Sequence, residues 1–582
     1  MKTLQVSCRR RMLFVSVLSI PLCLAVAGLV ACAREQSGGS SASAAPTQQL
    51  SPEGRAAQSA AISAGNIPEL RWPDFSDYSK LLREFYDSNG QSLPWVRGMA
   101  PTPQALQAIA ILQQADQKGL SAEDYDASRW SARLAKLKPG AAQPSEADAQ
   151  LFDLELSVCL MRYISDLHIG KVNPKHFDFG LNVETKKYDL PEFVKNNVME
   201  APDVAAVLAK VEPTYPGYQR AIQALHSYME LAKKEDADSL SLPPVQKTIG
   251  PGESYAGLPQ MTRLLRLVGD LPADANVPAD STVYQGPLVD AVKSFQVRHG
   301  RTADGRIGAQ TVADMNVPLD ARVRQMQLTL ERWRWLPEAY KNAPIIANIP
   351  EFRLRAYDDQ LKLALSMGVV VGKAYNHDTP VFSDSMEYVV FRPYWNVPYS
   401  IARSEFFPKI AKDPNYLAAK GFQVVDSKQN VVTSGAVTPE VFAQLKAGTL
   451  FVRQNPGPKN SLGLVKFIFP NSYNVYMHDS PEQQLFSRSR RDFSHGCIRL
   501  EKPADLAVFV LQQIPGWDMA RVRAAMSTGS NQQVNLPRPI PVLIIYGTVV
   551  VPEDGLVHFY DDIYGHDKEL DEVLKKGYPY PG

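Results

Sequence analysis

Over residues 70–234 apolar positions recur at helical spacing, for example Ala105, Leu106, Ile109 and Leu112 with Gly119 as a C-cap, which predicts a mostly helical domain over 67–240. Within it, 151–164 is one apolar helical stripe, and Cys159 on that stripe reads as a small buried hydrophobe. The segment 239–259, rich in Pro, Gly and Ser, interrupts the pattern. Three short amphipathic stretches between glycine turns follow, around 261–270, 288–300 and 304–316, and predict a small three-helix module over 255–318. After Pro344 the period changes to two: 344–350, 352–357, 361–372 and 387–391 read as strands bounded by Gly, Pro or Asp. Residues 399–450 return to helical texture and read as a helical insertion, after which strands resume at 465–470 and 474–478. The mainly β domain is therefore expected over 340–515, with 535–582 supplying further strands and a short helix near Leu570 that pack on it or on the helical scaffold. The fold class predicted is multidomain α+β.

At the N-terminus, Lys2, Arg9, Arg10 and Arg11 precede an uncharged run over 12–31, the basic and apolar regions of an export signal. The run ends in Leu29-Val30-Ala31-Cys32, which resembles a bacterial lipobox and implies lipidation at Cys32. An uncleaved anchor is the alternative, since about 20 apolar residues span a bilayer, although Pro21 and Gly28 weaken a straight helix. Either way residues 1–32 tether the chain to a membrane outside the cytoplasm, and 33–66, rich in Ser, Ala, Gly and Gln, reads as a flexible tether.

Length and charge narrow the classes. The 582 residues suffice for several domains, and 62 basic against 61 acidic side chains give a net charge of +1, which speaks against a nucleic-acid binder. Of five cysteines, Cys8, Cys23 and Cys32 lie in the leader, so Cys159 and Cys497 remain as free thiols rather than a disulfide framework.

Cys497 lies in Ser494-His495-Gly496-Cys497-Ile498-Arg499, and fifteen residues separate that loop from His478 at the end of a predicted strand. A cysteine nucleophile reacts as its thiolate, and a nearby imidazole can take the proton and leave a thiolate–imidazolium pair. Gly496, without a β-carbon, lets backbone amides approach a developing oxyanion. His478, His495 and Cys497 with water could instead hold zinc.

This signature is similar to that of L,D-transpeptidases, the cysteine enzymes that cross-link peptidoglycan. The resemblance extends to Arg392-Pro393-Tyr394-Trp395-Asn396-Val397-Pro398, to the loop 455–463 that contains Asn460, to Asp561-Asp562-Ile563-Tyr564-Gly565, and to Arg162-Tyr163 and Ser165-Asp166-Leu167-His168 of a helical scaffold. Separately, Ala291-Val292-Lys293-Ser294-Phe295-Gln296 and Asp304-Gly305-Arg306-Ile307-Gly308 resemble a peptidoglycan-binding domain.

The resemblance implies that Cys497 attacks the third-residue carbonyl of a tetrapeptide stem, that D-alanine leaves, and that an amine of a neighbouring stem resolves the thioester. His478 is then the base, oriented by a backbone carbonyl, and the amides of His495, Gly496 and Cys497 are oxyanion donors. Substrate contacts fall to His495, Arg499, Ser494, Trp395 and Asn460, and 399–450 becomes a capping insertion. Neither metal nor organic cofactor is implied; the partners are stem peptides, glycan and, through the tether, a membrane, in a periplasmic setting. Two rival readings are an L,D-carboxypeptidase, in which water resolves the same acyl-enzyme, and a wall-binding scaffold without catalysis.

Overall fold

The computed structural model describes residues 48–138, 144–234, 241–278, 281–338, 344–374 and 377–580. The leader with Cys32 lies outside them.

The helical domain is organised around Glu146–Ile169, started by a Ser145/Asp148 capping box. Nearly every side chain from Phe152 to His168 is buried, because helices and loops surround this helix on all sides. Cys159 is 1 % exposed, and burial pushes its thiol pKa up, as suits a packing residue. From Gln48 on, the structure departs from the tether expected over 33–66. Gln48–Gln49 pairs with Ser92–Leu93, and Pro52–Ala64 is a helix capped by Ser51. Leu50 and Ile62 anchor this segment in the helical core, which two apolar side chains in a Ser/Ala-rich stretch did not reveal.

Helix Pro216–Ala232 falls within the expected 67–240 domain but packs in a separate cluster with Leu319–Arg334, a helix the sequence pattern left unassigned. That second helix is buried while rich in charge. Lys186 donates to the carbonyls of Arg334 and Leu336 at 2.6 and 2.9 Å, closing its C-terminal end. Between these helices in sequence, Leu258–Leu267, Pro287–Arg298 and Ala309–Met315 share one apolar core, including Met261, Leu265, Val292 and Phe295.

The β domain is a closed sheet. Its strands run Leu363–Gly372, Ile498–Leu500, Met477–His478, Val465–Ile468, Phe382–Phe391, Gln532–Ile545, Ile345–Asn348 and Arg353–Tyr357, and the last pairs back with the first. Alternate residues such as Val369, Val371, Val389, Phe391, Phe467, Met477, Ile498 and Ile544 point into one interior; each such side chain contributes roughly 1.5–3 kcal/mol by leaving water. Gln532–Ile545 corrects the expected boundary at 515: it lies inside this sheet between Phe382–Phe391 and Ile345–Asn348, so the domain is completed only after helices Pro503–Leu511 and Met519–Ser527.

The insertion is not simply helical. Trp395–Asn396, Phe422–Val425, Val431–Thr433 and Phe451–Gln454 form a four-stranded sheet, covered by short helices including Phe407–Lys412 and Pro439–Lys446. Phe406, Phe407, Leu417, Phe422, Val424 and Val452 give it its own core. Four strands of two to four residues are too short to show a period of two, which is why the sequence reads as helical there. Among the described residues no helix is long and apolar enough to cross a membrane.

Candidate active site

Two short strands build the site. Met477–His478 and Ile498–Leu500 pair in parallel with Met477 opposite Ile498 and His478 opposite Arg499. Met477 and Ile498 face the core, so pleating turns Tyr476, His478, Cys497 and Arg499 to the other face. On the other side of His478, Lys466 is its cross-strand partner.

His478 is 4 % exposed, and its Nδ1 meets the backbone carbonyl of Asp479 at 2.6 Å. A carbonyl accepts, so Nδ1 donates here, and the Leu462 backbone also bears on the ring. A backbone group therefore orients the ring, as anticipated in the absence of an acidic third member. Burial, followed by the Arg499 charge, depresses the imidazole pKa to about 3. Cys497 is half-buried, with Sγ 3.8 Å from the Asn474 carbonyl. Burial raises its pKa, against the opposing pull of the Tyr476 amide and phenol and of Arg499 and Lys466. Desolvation therefore penalises both the thiolate and the imidazolium and favours the neutral thiol and the neutral imidazole.

Other assignments change role. Ser494, 3 % exposed, donates from Oγ to the Cys497 carbonyl at 2.6 Å and accepts from the Gly496 amide at 3.2 Å. It shapes the loop instead of holding substrate, and it engages one of the three amides expected to serve an oxyanion. Asn460 is also a brace: its Nδ2 donates to the carbonyls of Pro393 and Asn455 at 3.1 and 2.9 Å, and its Oδ1 accepts from the Leu462 amide at 2.8 Å. With 1 % exposure it has no face for a ligand. Gly496 has φ +110°, a conformation that disfavours a β-carbon, and Thr379 Oγ1 holds its carbonyl at 2.8 Å.

Arg499 keeps a partly exposed guanidinium, here ion-paired with Glu482. His495 sits at the rim with Nε2 2.6 Å from Glu405 of the capping insertion and its ring centroid 4.7 Å from that of His377. Trp395 packs edge-on against Phe406 and Phe422 in the cap, and its side chain also donates toward the Tyr476 phenol. That makes Tyr476 the link between cap and thiol. Sequence reasoning missed it, although its place two residues before His478 on the same strand was a usable signal. Lys466, Thr379 and Glu405 carried none, since each arrives from a distant segment. Among the described residues no cluster of three or more His, Cys, Asp or Glu can hold a metal ion.

Gly463 gives the base a hidden constraint. At φ +62°, a β-carbon there would lie 2.3 Å from the Asp479 carboxylate. That carboxylate accepts from the Leu464 and Ser480 amides at 2.8 and 2.7 Å, fixing the residue whose carbonyl holds His478.

Comparison with known proteins places these features in a lineage. Residues 343–550 match the L,D-transpeptidase catalytic domain, and residues 80–225 match a scaffold domain. A curated Haemophilus influenzae protein named for L,D-transpeptidase activity is 30% identical over 295 residues, 50% of this chain and 57% of that protein. The chain thus spans little more than half the length of that relative. Among solved structures, the L,D-transpeptidase of Xylanimonas cellulosilytica aligns at 15% identity over 52% of this chain and 100% of its own, with TM-score 0.16. That of Stackebrandtia nassauensis aligns at 14% identity over 52% and 96%, with TM-score 0.20. Both overlays are too loose to carry weight, and the assignment stands on the domain match and the curated relative. Residues 343–550 carry an L,D-transpeptidase catalytic domain.

Proposed function

We propose that the protein is a peptidoglycan L,D-transpeptidase in which Cys497 is the nucleophile and His478 the general base. The observation that carries this reading is the parallel pair Met477–His478 and Ile498–Leu500, which turns imidazole, thiol and guanidinium to one face beneath the cap. His478 Nε2 takes the thiol proton as Sγ bonds to the third-residue carbonyl of a tetrapeptide stem. The tetrahedral intermediate collapses, the C–N bond to D-alanine breaks, and the proton passes from imidazolium to the departing amine. An amine of a second stem then attacks the thioester and regenerates the thiol. Because both groups start neutral, charge develops during attack. The Tyr476 phenol, Lys466 and Arg499 bear on the sulphur as it becomes anionic.

Arg499 exchanges Glu482 for a stem carboxylate, and the cap, held to the loop by Glu405 and His495, governs entry to the groove. The three-helix module over 255–318 binds the wall, and the lipidated Cys32 tethers the enzyme to a membrane facing the periplasm.

The test is intact-protein mass spectrometry with a disaccharide tetrapeptide, beside Cys497→Ala. A tripeptide-stem adduct on the unsubstituted protein only, released D-alanine and a cross-linked dimer are expected. Free tripeptide without dimer would make the protein a carboxypeptidase. Binding to sacculi without adduct or turnover would make it a scaffold.

A further inference from the structure

A cavity of about 900 Å³ lies away from Cys497 and His478, where helix Pro216–Ala232, the end of the three-helix module and the closed sheet meet. Its size is at the upper end for small-ligand sites, enough for a sugar–peptide unit. Seven arginines and four carboxylates line it. Three of these arginines are matched by carboxylates: Arg355 holds both oxygens of Glu351 at 2.5 and 2.6 Å, Arg301 those of Asp561 at 2.7 and 2.8 Å and those of Asp314 at 2.7 and 2.9 Å, and Arg490 those of Asp492, both at 2.8 Å. The surplus cations meet neutral partners. Arg491 donates to the carbonyls of Phe352, Val369 and Arg488, Arg220 to that of Val551, and Arg488 lies over the Phe493 ring. Arg353 bonds Ser366 Oγ and stands 3.8 Å from a Glu351 already claimed by Arg355. Burial, then the neighbouring Arg353, lowers the Arg491 pKa against the opposing pull of Glu501 and Glu351.

Aromatic walls complete the chemistry. Tyr357, Tyr560 and Trp333 line the same space and offer ring faces of the kind that pack on a pyranose. One wall, residues 487–491, runs directly into Asp492–Ser494 and the Cys497 loop.

We propose that this cavity is a second substrate site, which takes a carboxylate-bearing glycopeptide through arginines of three different segments while the catalytic groove works on a stem. The choice of ligand rests on the wall-directed reading above; the site itself rests on the unmatched arginines.

The experiment uses the full chain carrying Cys497→Ala, so that no turnover occurs, titrated with a disaccharide tripeptide, with its carboxyl-amidated form, and with a photoreactive version for mapping. Cross-links to 215–221, 297–302 or 487–491 are expected. So are affinity at least tenfold weaker in Arg353→Gln/Arg488→Gln and weaker binding of the amidated form. The same double substitution in the otherwise unsubstituted protein should leave iodoacetamide labelling of Cys497 unchanged, which shows that the fold and loop survive. Cross-links confined to the groove around His478, or an affinity indifferent to both substitution and amidation, would overturn the proposal. D-Alanine release separates the two readings. Turnover without cavity binding sinks only this inference, whereas variant-sensitive binding without turnover sinks only the enzymatic one.

Discussion

The charge state of Cys497 can be tested by varying pH alone. Burial keeps the thiol above its ordinary 9.0 and holds the imidazole of His478 down to about 3, so the two ionisations lie at least six pH units apart. At 1.36 kcal/mol per unit, moving the proton from sulphur to nitrogen costs at least about 8 kcal/mol. Even if the resulting charges came within ~4 Å of each other, their attraction would return only about 4 kcal/mol at an effective dielectric near 20. The shortfall of about 4 kcal/mol leaves roughly one molecule in a thousand as the ion pair. Nucleophilicity should therefore follow ordinary thiol ionisation. Below its pKa a thiol gains thiolate as pH rises, so labelling of Cys497 by iodoacetamide should climb about tenfold per unit from pH 7 to 9. Peptide mapping isolates Cys497 from the buried Cys159 and from the cysteines of the leader. A rate that levels off between pH 5 and 8 would mean a preformed thiolate and would refute the argument that desolvation governs this site.

Tyr476→Phe removes a phenol that bears on the thiolate; a hydrogen bond to a charged group is worth about 1.5–3 kcal/mol, so acylation should slow roughly ten- to a hundredfold with the fold intact by circular dichroism. Gly463→Ala forces the Asp479 carboxylate aside, and because a shift near 1 Å can cost about a hundredfold in rate, kcat for D-alanine release should fall while sacculus binding stays; an unchanged kcat would deny Asp479 its positioning role. Thr379→Val strips the buried Gly372 amide and Gly496 carbonyl of their partner and should cost about 1–3 kcal/mol in urea unfolding followed by tryptophan fluorescence. Glu405→Gln should raise KM more than it lowers kcat, because the His495–Glu405 contact is partly exposed and belongs to the cap; an effect on kcat alone would place Glu405 in the chemistry.

Local pattern carried a good part of the architecture. The three helices of the module, the 24-residue helix Glu146–Ile169 and the ten-residue strands Leu363–Gly372 and Phe382–Phe391 follow directly from periodicity, because each spans enough residues for its period to show. Short elements were illegible for the opposite reason, as in the cap, whose strands of two to four residues reveal themselves only by pairing. That strands after residue 535 return to a sheet was legible, but not which domain they complete, because the partners of Gln532–Ile545, Phe382–Phe391 and Ile345–Asn348, lie well over a hundred residues upstream. In the site, His478, Gly496 and Cys497 were identifiable from residue type and spacing. Ser494 and Asn460 looked equally suited to a ligand, and only their burial and hydrogen bonds mark them as loop braces.

What the sequence by itself determined is therefore the inventory and order of the chemistry: a thiol beside a glycine, an imidazole separated from its loop by fifteen residues, and alternation that puts Tyr476 and His478 on one face. Proton occupancy, the partners of each polar atom and the arginine-lined cavity were decided by tertiary structure alone. Desolvation depends on everything packed around a group, and Lys466, Arg499, Thr379 and the cap reach this thiol from segments that no local spacing connects.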